Sequence, residues 1–107
     1  MKANKHILLD GRAKREISAF PKQVRTKLAA YTAMLSEEGR LEKPFAKKLQ
    51  ADPAIYEIRI KYKGVWRVIY AYFGSVNILI LSAFHKKTQK IPINEIKKAQ
   101  RRLAEYV

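Results

Sequence analysis

Two short turns in the second half of the chain constrain its fold more than any other feature. Residues 55–62 alternate apolar and charged side chains, which predicts a strand with one apolar and one charged face. Two apolar runs, 65–73 and 76–84, follow after turns at Lys63-Gly64 and Gly74-Ser75. Because parallel pairing needs a longer crossover, these turns predict three antiparallel strands. The run 76–84 is rich enough in Ile and Leu to predict a central strand covered on both faces.

The first half of the chain shows helical periodicity. Residues 5–9 predict a short strand, after which Asp10 can cap a helix that turns Ala13 and Ile17 inward. Pro21 is suited to the first turn of a second helix, and Gly39 is suited to end it. The inner positions of this helix recur at helical spacing and are Val24, Leu28, Tyr31 and Leu35. Residues 40–54, which contain two prolines, are predicted to be irregular.

A final helix can begin at Pro92, with an apolar inner stripe and a charged outer face. The inner stripe would consist of Ile93, Ile96, Ala99 or Gln100, and Leu103. The outer face would consist of Lys97, Lys98, Arg101 and Arg102. The predicted order is therefore β-α-α-β-β-β-α. It describes one α+β domain over residues 1–107, with helices packed on a small, mainly antiparallel twisted sheet.

The net charge of +14 is the strongest global signal, with 23 Lys and Arg against nine Asp and Glu in 107 residues. Such a field attracts polyanions, so nucleic acid is the leading partner, with an acidic protein or a membrane surface as alternatives. The chain has no cysteine and two histidines, so neither disulfides nor a zinc site are expected. Its apolar runs are too short to span a membrane. We therefore expect a cytoplasmic protein without a membrane partner or a cofactor.

Cationic side chains from three predicted strands can converge on one surface. Arg59 and Lys61 leave the same face of one strand, and Arg67 lies on the next. Because burying an unpaired guanidinium is costly, Arg67 is expected at an edge or a concave surface, or else paired with Glu57. The end of the third strand adds His85, Lys86, Lys87 and Lys90. A concave basic surface suits a phosphodiester, which Arg holds through two hydrogen bonds and Lys as a point charge.

RNA would need little beyond such a surface to be cleaved, because its own 2′-hydroxyl is the nucleophile. A base, an acid and charge stabilisation at the phosphate are sufficient. Clustered cations lower one another's pKa, so one lysine can accept a proton near neutrality. Plainer interpretations stay open: Arg59 and Lys61 can form the solvated side of a strand, and His85 can be a general acid, a general base or a bystander.

Three segments resemble the RelE/HigB toxin superfamily, and most of all its phage Gp49-like branch: KKL at 47–49, IYEIRIKYKGVWRVIYAYF at 55–73 and ILILSAFHKKTQKIPINEIKKAQRRL at 78–103. The resemblance covers nearly the whole chain. It implies a RelE-like fold and the toxin of a type II toxin–antitoxin system, which cuts mRNA in the ribosomal A site. This endoribonuclease reaction would be independent of metal and would use the 2′-hydroxyl as nucleophile.

The resemblance also implies functional residues. The predicted catalytic residues are Arg59, Lys61, Arg67, Lys86 and Lys87. The predicted RNA-binding residues are Lys47, Lys48, Lys63, His85, Gln89 and Lys90. Arg67 would stabilise transition-state charge, Arg59 and Lys61 would bind phosphate or serve as base, and Lys86 or Lys87 would steady the leaving group. Many relatives have a C-terminal tyrosine or histidine near the active site, and neither Tyr106 nor His85 clearly matches it, so the general acid has no assignment.

The partners implied by the resemblance are a cognate antitoxin, often a helix-turn-helix protein, together with the 70S ribosome and mRNA. The antitoxin would be acidic where it contacts the cationic cluster, which speeds association and sets specificity. Two other functions are compatible with the same sequence. One is a ParE-type toxin that inhibits gyrase, and the other is a nucleic-acid-binding module without catalysis.

Overall fold

The computed structural model describes residues 4–86 and 92–107, with Lys86 described by its backbone only. The elements in chain order are β1 (His6–Leu9), α1 (Gly11–Ser18), α2 (Lys22–Glu38), β2 (Ala46–Ala51), β3 (Ala54–Lys61), β4 (Val65–Phe73), β5 (Asn77–Lys86) and α3 (Ile93–Ala104). The predicted α+β class and mainly antiparallel sheet are confirmed.

The described residues form one five-stranded sheet in the order β1-β5-β4-β3-β2. Strands β2 to β5 pair antiparallel, and β1 pairs parallel with β5. Strand β2 corrects the expectation that residues 40–54 are irregular. Its residues carry little strand signal of their own, and the strand exists because it pairs with β3 from Ala46 opposite Ile58 to Ala51 opposite Ala54.

Local sequence signals fix the ends of the first two helices. The Asp10 side chain accepts a hydrogen bond from the Arg12 backbone N–H at 2.8 Å and caps α1. Gly39 ends α2 in the left-handed conformation at φ +83°, where its N–H donates to the Leu35 carbonyl. Both assignments match the sequence prediction.

Both faces of the sheet are covered. Helices α1 and α2 pack on one face through residues that include Val24, Leu28 and Leu35, against Ile58 and Ile80 of the sheet. Helix α3 packs on the opposite face, where the buried residues are Ile55, Ile69, Ala71, Leu79, Leu81, Ala99 and Leu103. Strand β5 is covered on both sides, as predicted, although β4 is the middle strand.

Helix α3 differs from its predicted orientation at both ends. Ile93, expected on the inner stripe, is 67% exposed, whereas Arg102, expected on the outer face, is buried. The Arg102 guanidinium donates to both carboxylate oxygens of Glu16 at 3.0 Å and to the Leu81 carbonyl at 2.8 Å. This bidentate pair, in which Arg102 is buried and Glu16 partly buried, ties α3 to α1 and β5. It satisfies a charge that the helical pattern alone placed in water. Burial would raise the pKa of Glu16, but the hydrogen bonds from Arg102 and the Ala83 N–H outweigh it and hold that pKa below its ordinary value.

Candidate nucleic-acid interface

The C-terminal end of β3 forms an open corner of the sheet. Strand β2 begins at Ala46, opposite Ile58. Beyond Ile58, the outer edge of β3 therefore forms hydrogen bonds with groups outside β2. The Arg59 backbone N–H donates to the Phe45 carbonyl at 2.9 Å. Lys27 of α2 donates from Nζ to the Lys61 carbonyl at 3.0 Å. This corner therefore brings together α2, the loop before β2 and the last residues of β3.

Strand alternation places the predicted catalytic residues of β3 and β4 on one face. Arg59 lies opposite Arg67 and Lys61 lies opposite Val65, so their side chains leave the face on which α3 packs. Lys47 of β2 lies opposite Glu57 on the same face. The structure thus brings together Lys47, Arg59 and Lys61.

An acid on this part of the face, Glu57, lies between two arginines. Its Oε2 accepts a hydrogen bond from Arg67 Nη1 at 2.8 Å, and its Oε1 lies 3.6 Å from Arg59 Nε. Glu57 and Arg67 are fully buried, and Arg59 keeps 27% of its side chain exposed. The expectation that Arg67 reaches an edge or a concave surface is therefore wrong, and the alternative, an ion pair with Glu57, is what the structure contains. Burial is tolerated because the guanidinium meets a carboxylate.

Two neighbouring clefts open around Arg59 and share Pro44 as a second wall. The first has a volume of about 190 Å³ and is lined by Lys27, Tyr31, Pro44, Phe45, Arg59 and Lys61. The second has a volume of about 290 Å³ and is lined by Lys43, Pro44, Ala46, Lys47 and Arg59. We call these two clefts together the cationic groove. Every charged residue that lines it is a lysine or an arginine, so it favours a polyanion.

Three other predicted RNA-binding residues lie elsewhere. Lys48 is on the α1/α2 face of the sheet, with its ammonium 5.7 Å from the centre of the Tyr56 ring. Lys63 occupies the turn between β3 and β4 and extends over Tyr62. His85 pairs with Trp66 on the α1/α2 face, and their rings stack 3.8 Å apart at an angle of 8°. Because alternate residues of a strand point to opposite faces, His85 and Lys48 do not join Arg59 and Lys61.

Several predicted residues fall outside the described part of the chain. Lys87, Gln89 and Lys90 belong to the segment 87–91, and Lys86 is described only as the backbone position opposite Val65. Their assignments stay predictions.

Lys27, Tyr31, Lys43 and Phe45 line the groove but were not predicted as functional. Lys27 and Tyr31 are four residues apart on α2, a spacing that places them on the same side of the helix, and this was a usable signal. Phe45 carried no such signal, because its position depends on how the loop before β2 crosses the end of β3.

Tyr106 takes part in a different cluster, at the N-terminus of α1. Its hydroxyl donates to Asp10 Oδ2 at 2.7 Å, and this bond raises the pKa of Tyr106. Arg12 binds Asp10 and Glu105 and holds the pKa of Asp10 well below its usual range. Asp10 follows β1, at the sheet edge opposite β2. Tyr106 is therefore bound at the edge opposite the groove.

The described residues, 4–86 and 92–107, contain neither a candidate metal site nor a candidate membrane-spanning helix. Within these ranges no three acidic or histidine side chains lie close enough together to share a metal ion. None of the described helices is long and apolar enough to cross a membrane.

Comparison with solved structures identifies the fold as that of RelE toxins. A free double arginine-to-alanine mutant of E. coli toxin RelE superposes with a TM-score of 0.72 at 22% identity, covering 92% of this chain and 97% of that chain. RelE in the archaeal RelE–RelB complex from Pyrococcus horikoshii gives a TM-score of 0.66 at 18% identity, covering 81% and 99%. The intact E. coli RelBE toxin–antitoxin complex gives a TM-score of 0.64 at 24% identity, covering 80% of this chain and 99% of that chain.

The sequence itself assigns the family. Residues 15–104 match the profile of the phage-derived Gp49-like proteins, so the chain belongs to the Gp49-like family. The resemblance stated from the sequence is thereby confirmed. A comparison with curated protein sequences finds no match.

Proposed function

We propose that this chain is the toxin of a type II toxin–antitoxin pair and cleaves mRNA on the ribosome. The observation that carries the proposal is the convergence of Lys47, Arg59 and Lys61 on one cationic groove at the open end of β3. The groove is formed by residues from three separate segments, and the charged ones among its described lining residues are all lysine or arginine. A ribose–phosphate backbone is the ligand that such a surface fits.

The proposed reaction uses the RNA 2′-hydroxyl as nucleophile. Its oxygen attacks the adjacent phosphorus, the bond to the 5′-oxygen breaks, and the departing 5′-oxygen takes up a proton from water. The products carry a 2′,3′-cyclic phosphate and a 5′-hydroxyl. Arg59, which is partly exposed beside the groove, would bind the phosphate and stabilise the charge that develops there. Lys61 would accept the 2′-hydroxyl proton, since an arginine stays protonated in proteins. The chemistry requires no metal, because the nucleophile belongs to the substrate.

Arg67 receives a different role from the one that the resemblance implied. Its guanidinium is buried against Glu57, so it cannot contact the phosphate from this position. We assign it to positioning: Arg67 holds the Glu57 carboxylate, and that carboxylate restrains Arg59. Lys86 and Lys87 keep their proposed role at the leaving group.

The proposed partners follow from the same reasoning. Solved RelE structures include complexes with the antitoxin RelB, and this supports a cognate antitoxin for the present chain. An acidic antitoxin segment over the groove would neutralise the charges that bind RNA. Ribosome-bound mRNA as the substrate would place the protein in the cytoplasm.

Transcript 5′ ends mapped after brief induction test the proposal. We expect new 5′-hydroxyl ends within translated regions and arrested growth, and we expect both to disappear with Arg59→Ala. Lys14→Ala, which removes one exposed charge from α1, is the matched control and should stay toxic. Growth arrest without new ends, together with inhibited gyrase supercoiling, would replace the proposal with a gyrase-directed toxin. Salt-sensitive RNA binding without new ends would indicate a binding module.

A further inference from the structure

One wall of the cationic groove is aromatic. Phe45 is 38% exposed and lines the 190 Å³ cleft with Lys27, Arg59 and Lys61. Its ring centre lies 5.3 Å from that of Tyr31, at an angle of 48°. A single exposed apolar residue needs no explanation on its own. An exposed ring in a cleft with three cations does, because this combination binds single-stranded nucleic acid in many proteins.

Phe45 borders two cavities that differ in charge. The second has a volume of about 420 Å³ and is lined by Met34, Glu38, Arg40, Leu41 and Glu42 as well as Phe45. Arg40 and Glu42 form an ion pair there at 3.0 Å, which leaves Glu38 as additional negative charge. A polyanion is attracted more strongly to the cationic cleft than to this second cavity. A flat ligand that carries phosphate would therefore approach Phe45 from the cleft.

The cations of the cleft are held around the ring by the fold. Lys27 uses one of its three ammonium donors on the Lys61 carbonyl, and two remain for a ligand. Arg59 is restrained through its Nε by Glu57. A phosphate bound by Arg59 would thus have the Phe45 ring beside it, at the next position along an RNA strand.

We propose that this cleft is a subsite for one unpaired base of single-stranded RNA, which stacks on Phe45 next to the phosphate held by Arg59. The inference rests on the proposed function and adds a base-binding position to it. The cleft is smaller than the roughly 300–1,000 Å³ of pockets for drug-sized ligands, so it holds one base and not a longer segment. Since every base has a π face, stacking here would be tolerant of sequence.

Equilibrium binding, measured by fluorescence anisotropy without ribosomes, tests the subsite separately from cleavage. Two RNA probes of equal length and charge are compared: an oligouridylate and a ribose-phosphate oligomer without bases. Both are methylated at the 2′-oxygens so that neither can be cleaved. Phe45→Leu is expected to weaken binding of the oligouridylate by about 5- to 150-fold, the range for one stacked base. It should leave the abasic oligomer unchanged, whereas Phe45→Trp should keep the affinity for both.

Three controls make the outcome decisive. Val76→Ala removes exposed apolar surface at the far end of β5 and should change neither affinity. Circular dichroism shows whether Phe45→Leu is folded. If it is not, Phe45→Met replaces Phe45→Leu and Phe45→Tyr replaces Phe45→Trp, with the same expectation for each probe.

Equal affinity of Phe45→Leu and wild type for the oligouridylate would overturn the subsite, and so would an equal loss for both probes. If Phe45→Leu weakens the binding of a polyglutamate peptide as strongly as the binding of RNA, the base subsite is overturned in favour of a protein-binding cleft. Any of these results leaves the proposed function intact if the protein still cuts mRNA. If instead the subsite binds a base as expected but no mRNA is cut, only the proposed cleavage is overturned.

Discussion

Arg67 Nη1 donates a hydrogen bond of 2.8 Å to Glu57 Oε2, and both side chains are fully buried. The pair separates the arginine that can contact a ligand, Arg59, from the arginine that cannot. The buried pair also gives Arg67 a structural role, separate from the positioning role proposed for it. A variant that loses Arg67 must therefore be judged by its folding before its activity is interpreted.

Arg67→Ala is expected to lower the free energy of unfolding by about 3–5 kcal/mol, because the Glu57 carboxylate stays buried without its closest partner. Arg59→Ala, which removes a longer and partly exposed ion pair, should cost about 1 kcal/mol or less. Urea unfolding of the two variants measures the difference. The double variant Glu57→Leu/Arg67→Met should be more stable than Arg67→Met alone. Equal losses for Arg67→Ala and Arg59→Ala would show that the buried pair does not have this role.

Lys47 and Lys48 are adjacent in sequence but lie on opposite faces of β2, so they form a matched pair for RNA binding. Lys47→Ala should weaken binding of single-stranded RNA and reduce the slope of log affinity against log salt by about 0.7, the value for one lost phosphate contact. Lys48→Ala should leave the slope unchanged, because its ammonium lies over Tyr56. The measurement is a salt titration of RNA affinity. Equal slope changes for both variants would argue that only net charge matters.

Gly64 has φ +114°, a backbone conformation that residues with a side chain rarely adopt. A Cβ atom at this position would lie 2.6 Å from His85 Nε2. Gly64→Ala should therefore destabilise the protein by about 1–3 kcal/mol, the range for a residue forced into strained backbone, and displace His85 from Trp66. Gly74 has φ +68° and open space around its Cβ position. Gly74→Ala therefore measures the cost of a side chain at positive φ without a collision. His85→Ala should recover part of the loss at Gly64 and nothing at Gly74. Thermal unfolding and Trp66 fluorescence follow both effects, and full independence of Gly64→Ala from His85 would contradict the contact.

Asp10 makes stability depend on pH in the acidic range. Hydrogen bonds from Arg12, and after them from Tyr106, hold the pKa of Asp10 well below its unfolded value of about 4. A carboxylate with a lowered folded pKa contributes stability that is complete above about pH 4 and is lost as the pH falls through the folded pKa. Wild type should thus exceed Asp10→Asn in stability at pH 7, and the difference should shrink progressively below pH 4. Urea unfolding at pH 7, 4 and 2.5 measures this difference, and a constant value across the series would contradict it.

The sequence predicted the fold where signals were local. Asp10, Gly39 and the two hairpin turns mark element ends through their own chemistry, and the antiparallel pairing of β3, β4 and β5 follows from the two turns. Strand β2 was missed because its pairing with β3 supplies what its residues lack. Arg102 was misplaced because its partners, Glu16 and the Leu81 carbonyl, lie 86 and 21 residues away along the chain.

The candidate site, like the fold, was predictable from the sequence where the signal was local. Strand alternation placed Arg59 and Lys61 on one face without any knowledge of tertiary structure. It could not show that Arg67 is buried, since that depends on the layer that packs over the sheet. Nor could it bring Lys27 and Phe45 to the end of β3, because this contact joins α2 and a loop to a strand that lies far along the chain.

The most direct test of the central claim is the rate at which purified protein cuts ribosome-bound mRNA. Wild type and Lys14→Ala should produce fragments with 5′-hydroxyl ends at equal rates. Arg59→Ala should keep its fold and lose about 100-fold or more in rate, the typical effect of removing one donor that stabilises transition-state charge. Cleavage by folded Arg59→Ala at the rate of wild type would contradict the claim that the cationic groove binds the phosphate at which RNA is cut.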